Sequence, residues 1–483
     1  MGDGAVWEPV HAGVAGVMIG PATPTSEGAL ARFAAEVEVS GLPDAVVSQL
    51  KAVILDSIGV SLAGAAAPGV DAVIRAVATW GGREESTLYA HPQRVPAPWA
   101  ALANGVMATA RDFDDTLDDA MLHTQPSVLA AALALGEARG ASGADLLAAV
   151  AAGSELLCRM GRARRRGQEF LPTGTLASMA AAAAAARVLR FDAPTLLDAC
   201  GIAYSQSAAN VQPLREGATV KRVHAGFAAK VGVVSAVLAE GGLTGAHRWL
   251  EGEFGYFRLY ERGDYDPPTL TEGLGHRFHL LDLSLKPYPS ARDNHGAVEA
   301  ALALTREHGL NPADVVGVEV TLPPNAFGVS GQPLGSVGGH PVVEAIASAA
   351  YCVACAICRR RLRLEDLTED AVWDPAVRAL AARVTVRCDP AVRDPVTFVP
   401  QSVAIRLRDG RVLRAAVSVL RGHPARPLGD SERLQKFHDC CDFCPRPISA
   451  RRREAIVEAV ARLETLATVR TLGSLRAEGG EAE

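Results

Sequence analysis

Apolar residues recur at three- and four-residue spacing through GALARFAAEV and PDAVVSQLKAVILDSIGVSLAG, and the second run closes on a glycine, so both read as helices with a buried face. The same period continues through SGADLLAAVAAGSELL, where Ser142 and Asp145 stand at the spacing of a capping box. Helix follows helix from Ser26 to about Leu281. Beyond Leu281 the period changes. DVVGVEVTLPP and RVTVRCDP alternate apolar and polar positions, and VAIRLRDGRVLRAAVSV places Asp409-Gly410 between two alternating runs, a strong hairpin signal. The helical patterns EAIASAAYCVACAICRR and DPAVRALAARV lie among these strands, and after Pro427 the text turns helical again.

This order predicts a mainly α protein with an inserted α+β lid domain. The expected boundaries are an N-terminal tail over 1–25, a first helical part over 26–281, the lid over 282–419, the remaining helices over 420–472 and a C-terminal tail over 473–483.

With 483 residues, 49% of them hydrophobic and 21% charged, the chain has globular composition and length for two domains. A net charge of −6 with both signs interspersed gives no nucleic-acid footprint, and the runs Arg164 to Arg166, Arg359 to Arg361 and Arg451 to Arg453 read as solvated faces. The first residues lack a basic segment followed by a long apolar one, and no apolar run reaches the ~18 residues a membrane helix needs, so no membrane association and a cytoplasmic location are expected. Nine cysteines form an odd number, and reduced thiols are the default. Cys352, Cys355 and Cys358, with Cys440, Cys441 and Cys444 after His438, could be imagined as a metal site. Helical spacing among small apolar residues argues that the first set lines a buried face instead.

The segment RDFDDTLDDAMLHTQPS, from Arg111 to Ser127, sets five aspartates in eight positions before a histidine. Asp114, Asp115 and Asp118 spell D-D-x-x-D, which on a helix would share a face and suit magnesium and diphosphate chemistry. That chemistry needs a second carboxylate motif, and the chain has none. Phosphate-loop, dinucleotide, zinc-protease and hydrolase motifs are also missing. The polar residues left standing are His123, Lys221 with His224 in ATVKRVHAG, and Lys286 in LSLKPYPSARDNH. Taken singly, each would more often be a surface or structural residue.

Together with LKAVILDSIGVSLAG, ALANGVMATARDFDDT, SGADLLAAVAAGSELLCRMG, TVKRVHAGFAAKVGVVSAVLAEGGLTG, LEGEFGYF, LKPYP and RGHPARPLGDSERLQKF, these segments give a chain that resembles the MmgE/PrpD family. That family includes 2-methylcitrate dehydratase, cis-aconitate decarboxylase and iminodisuccinate epimerase. The resemblance runs from Leu50 to Phe437. It implies a homodimer of helical and lid domains, with a cleft between them that uses no metal or organic cofactor and acts on a small carboxylate. By motif, Asp112, His123, Lys221 and Lys286 fall at the catalytic positions. Thr116, Leu171, His224, Tyr288 and Ala291 fall at substrate-facing ones.

Those residue types suit the chemistry. Two lysines can hold carboxylates and stabilise a developing enediolate. A histidine can carry a proton near neutral pH, and a carboxylate, here Asp112, can orient it. The neighbouring Asp114 and Asp115 read as structural supports, and Asp118 and Asp119 as solvated.

The chain departs from the family pattern where Leu171 stands in EFLPTGT for a histidine, where Ala291 stands five residues after Lys286, and where HTQPS replaces H-P-S or H-P-G. The first two changes point to a less polar substrate or to a reaction with fewer proton-transfer groups than the tricarboxylate enzymes use. The expectation is a cofactor-independent dehydratase or decarboxylase. An isomerase working in the same cleft and a catalytically weakened ligand-binding paralogue are the alternatives.

Overall fold

The computed structural model describes residues 25–165, 169–335, 338–394 and 396–476. Most of the two expected tails lies outside that range, but residues 473–476, assigned to the C-terminal tail, close the helix Arg470–Arg476.

The apolar core of the helical part runs from Leu30 to Leu285 and resumes from Leu428 to Leu472, while a second core runs from Tyr288 to Leu420. At the centre of the first lies the fully buried, alanine-rich helix Thr175–Val188, packed against Gly143–Ala163, Ala193–Tyr204 and His224–Glu240. Small residues permit these close crossings. A methyl group on Gly226 would lie 2.3 Å from the Leu102 carbonyl oxygen, and one on Gly64 only 1.9 Å from that of Met107. Helix Gly143–Ala163 starts at the capping box read from the sequence, with Ser142 and Asp145 satisfying each other's backbone N–H.

One expectation is corrected here. Helices Asp44–Gly64 and Thr219–Glu240 are long and apolar enough to cross a membrane, yet 61% of each apolar window is buried inside the fold. A helix packed on several sides is apolar nearly all round, and composition alone cannot tell it from a membrane span.

The lid carries a four-stranded sheet of β1 (Val315–Leu322), β2 (Val384–Cys388), β3 (Gln401–Leu407) and β4 (Val412–Val417), ordered β2-β1-β3-β4. Strands β1 and β2 run parallel, the other pairs antiparallel, and β3 turns into β4 through Gly410 at φ +87°. Helix His295–Glu307 packs on this sheet and on Ala349–Arg359. The pattern EAIASAAYCVACAICRR forms two helices, Pro341–Ala347 and Ala349–Arg359, bent by 84° where the Ser348 side chain caps the second.

Cys352 and Cys355 are buried on that second helix, and burial pushes both thiols up, to about 12 for Cys352. Cys440 and Cys441 sit on a different helix, Asp430–Asp442, packed on Asp44–Gly64. Among the described residues, no three His, Cys, Asp or Glu side chains gather as a metal site would require. The arginine runs are not all solvated: Arg164 is almost buried and pairs with Glu261 at 2.5 Å.

Candidate active site

Helix Ala97–Thr109 ends just before Asp112, which adopts φ +51°. A non-glycine residue with positive φ is uncommon, and aspartate tolerates it better than most. The turn delivers the Asp112 carboxylate between two lysines from distant segments. Lys286 Nζ lies 2.6 Å from Oδ1 and also donates to the Asp112 carbonyl oxygen at 3.0 Å, while Lys221 Nζ lies 3.2 Å from Oδ2.

Lys286 is fully buried, which alone would favour its neutral form, but Asp112 and Asp114 raise its pKa above the ordinary lysine value. Burial would likewise push Asp112 up. Lys221, Lys286 and His123 outweigh it and hold this carboxyl well below its usual range.

His123 precedes helix Gln125–Arg139. Its Nδ1 lies 2.7 Å from the Asp115 carbonyl oxygen and 3.2 Å from Asp114 Oδ2. A carbonyl oxygen only accepts, so Nδ1 carries the hydrogen, and in the neutral ring Nε2 is left as the basic nitrogen. Asp115 in turn accepts from Thr124 N at 3.0 Å, Thr124 Oγ1 at 2.6 Å and Gln125 N at 3.1 Å, capping the helix whose entry sets the His123 backbone. Gln125, inserted between His123 and Pro126, turns inward and donates to Ser154 Oγ at 3.0 Å.

Two expectations change on this geometry. The carboxylate in contact with His123 is Asp114, not Asp112, because the turn at Asp112 sends its side chain to the lysines. The D-D-x-x-D run forms irregular turns and not a helix. Its members go to different partners: Asp114 to His123, Asp115 to a helix cap, and Asp118 to Arg292 at 2.7 Å. Asp118 is thus engaged and not solvated, whereas Asp119 is exposed and pairs with Arg162.

Asp112, Thr116, His123, Leu171, Lys221, His224, Lys286 and Ala291 all line one cavity between the helical part and the lid. An adjoining cavity shares Asp112 and Lys221 and extends along lid helices Pro324–Ser330 and Pro341–Ala347. Burial, then the Lys221 charge, lowers the pKa of His224, which keeps it neutral. Tyr288 is the exception. It faces a different cavity, beside Arg421 and Lys436, and packs edge-on against His295.

Residues not anticipated from sequence also line the cleft: Met121, Thr173, Arg292, Asp293, Asn325 and Phe398. Behind the loop, buried Lys436 donates to the Phe113 carbonyl oxygen at 2.8 Å and pairs with Asp56 at 2.7 Å. Both Asp293 and Lys436 stand in the segments that carry the family resemblance, but no spacing rule marks either as buried beside the Asp112 loop.

The MmgE/PrpD N-terminal domain model matches residues 28–268, and the C-terminal domain model matches residues 288–462. The human cis-aconitate decarboxylase is 28% identical, over 91% of this chain and 92% of that protein. A cis-aconitate decarboxylase-like protein of Aspergillus oryzae is 26% identical over 92% and 96% of the two chains, and cis-aconitate decarboxylase of Aspergillus terreus is 28% identical over 74% and 77%.

Proposed function

Because the chain belongs to the MmgE/PrpD family, we propose that its cleft performs a lyase reaction, dehydration or decarboxylation, on a small carboxylic acid carrying fewer charges than a tricarboxylate. The observation that carries this reading is the convergence of Lys221, Lys286 and an oriented His123 on one cavity. The lysines hold the substrate carboxylate and stabilise the charge that develops next to it, and His123 Nε2 moves the proton.

Charge balance favours the less charged acid. Two lysines face two carboxylates, Asp112 and Asp114, before any substrate enters. A trianion gains little net attraction there, and Leu171 and Ala291 offer it no polar contact. The relatives are named as decarboxylases or as decarboxylase-like, which gives the isomerase reading no support. Homodimer assembly and independence of metal or cofactor rest on the family resemblance, a cytoplasmic location rests on the sequence pattern alone, and all three belong to this proposal.

The test is a panel of mono-, di- and tricarboxylic acids followed by NMR for loss of water or carbon dioxide. We expect a mono- or dicarboxylic acid to turn over, with poor rates on 2-methylcitrate and cis-aconitate. His123→Ala should cost about 10²- to 10⁴-fold in kcat, and Lys221→Ala should also cripple the enzyme. Full activity of either variant overturns the proposal, and fast tricarboxylate turnover overturns its substrate class.

A further inference from the structure

Asp293 lines the same cavity as His123, Lys221 and Lys286, on the short turn Arg292–Asn294 that follows the Lys286 segment. It is 7% exposed. Its Oδ1 has no hydrogen-bond partner, and among the described residues no ion pair or hydrogen bond from another side chain reaches its carboxyl. Other buried carboxylates also leave one oxygen bare, but Asp56 pairs with Lys436 and Glu261 with Arg164, and others are engaged by several donors. Asp115 accepts three hydrogen bonds, and Glu155 accepts from Arg159 and from the backbone of His279 and Leu280.

The charged groups around Asp293 explain why no cation pairs with it, its own backbone N–H being the group that supports the carboxyl. Lys221 and Lys286, which could pair with it, are both committed to Asp112, and Arg292 on its own turn is committed to Asp118. His123 and His224 reach the same cavity from the helical part, and Asn325 reaches it from the lid. His295 follows on its own element, with Nε2 on the Ser290 carbonyl oxygen. A buried carboxyl left without a cation prefers its neutral form.

Resting on the lyase reading above, we propose that Asp293 is the proton donor of the reaction, delivering its O–H proton to the substrate in the cavity where His123 acts as the base. In a decarboxylation, the bond between carbon and carboxylate breaks, carbon dioxide leaves, the electron pair left on carbon takes the proton from Asp293, and His123 Nε2, in the same cavity, carries the replacing proton in from solvent. In a dehydration, His123 Nε2 takes the proton next to the carboxylate and that electron pair forms the double bond. The C–O bond breaks with its pair on oxygen, and the Asp293 proton completes the departing water. Solvent then restores the Asp293 proton and, after dehydration, takes the one from His123. No oxidant or reductant is needed. Asp293 thereby supplies, two residues on, a polar group that Ala291 lacks.

Burial, with the Asp112 charge adding to it, pushes the Asp293 carboxyl up to about 7, against the opposing pull of its own backbone N–H, Lys286 and Lys221. The donor is therefore protonated below neutral pH and fails as pH rises through about 7.

The test has two arms. Infrared difference spectra of the wild type against Asp293→Asn, from pH 5 to 9, need no substrate. We expect a protonated-carboxyl band that vanishes with a midpoint near 7 and is missing in the variant; a carboxyl ionised throughout overturns the proposal. On whichever acid of the panel the wild type turns over, Asp293→Asn should lose at least a hundredfold in kcat with KM nearly unchanged. It should also lose the alkaline fall in kcat, and Asp293→Glu should recover part of the rate. A variant that keeps kcat, or changes KM alone, overturns the donor role and leaves the lyase reading standing. A wild type inactive on the whole panel overturns the lyase reading, and the donor role with it. If Asp293→Asn does not fold, Asp293→Glu carries both arms, through a shifted band midpoint and an altered alkaline limb.

Discussion

At the scale of single residues, the distinction that matters is which carboxylate faces which nitrogen. Asp112, Asp114 and Asp115 lie within four positions, yet one balances two lysines, one touches the histidine and one caps a helix. Residue type and order suggested an Asp–His pair. The partner was not legible, because a single positive φ at Asp112 decides which way each side chain points. Asp114 is fully buried against the protonated face of His123, so its charge should stabilise the imidazolium formed when Nε2 takes a proton. Asp114→Asn keeps the shape and removes the charge. We expect kcat to fall roughly 10- to 100-fold with KM little changed, the worth of one close buried charge beside the ring. An unchanged kcat would show that the bond to the Asp115 carbonyl oxygen orients the ring unaided.

At the scale of elements, the local signals held where the physics is local. The capping box at Ser142 and the Asp409-Gly410 hairpin both depend on residues within a few positions of one another. The bend at Ser348 was missed, because an unbroken helical pattern in small residues does not reveal where a serine will cap a new helix. Close helix crossings place the site. Gly226, two residues past His224, meets Leu102 and Val106 of the helix that leads into Asp112. In Gly226→Ala the added methyl would stand 2.3 Å from the Leu102 carbonyl oxygen. It should cost about 1–3 kcal/mol of stability and displace His224 and Lys221 together. A lower melting temperature with reduced activity is the expected result, and a variant matching the wild type in both would show that the two helices can separate freely.

At the scale of the whole molecule, the buried acids give a definite pH dependence. Asp293 is raised from 3.8 to about 7 and Asp56, despite Lys436, to about 6, burial being the largest cause in both. A raised carboxyl holds its proton longer in the folded state, so its contribution is greatest below about pH 4 and is lost as pH rises to about 7. Asp112 runs the other way: its contribution is present above about pH 4 and is lost only in stronger acid. For Asp293 the loss is up to about 4 kcal/mol. Asp293→Asn should therefore unfold later than the wild type at pH 8 and show a flatter melting temperature between pH 5 and 8; equal slopes would refute this.

The sequence by itself determined the mainly α architecture with its α+β insertion and the family, because hydrophobic period and motif order are properties of the chain. It also supplied the segments bearing Asp112, His123, Lys221 and Lys286. Only the tertiary structure decided that these converge on one cavity, that Tyr288 turns away from it and that Asp293 is left there without a cation. Burial and charge pairing are set by segments more than a hundred residues apart, and no local pattern encodes them.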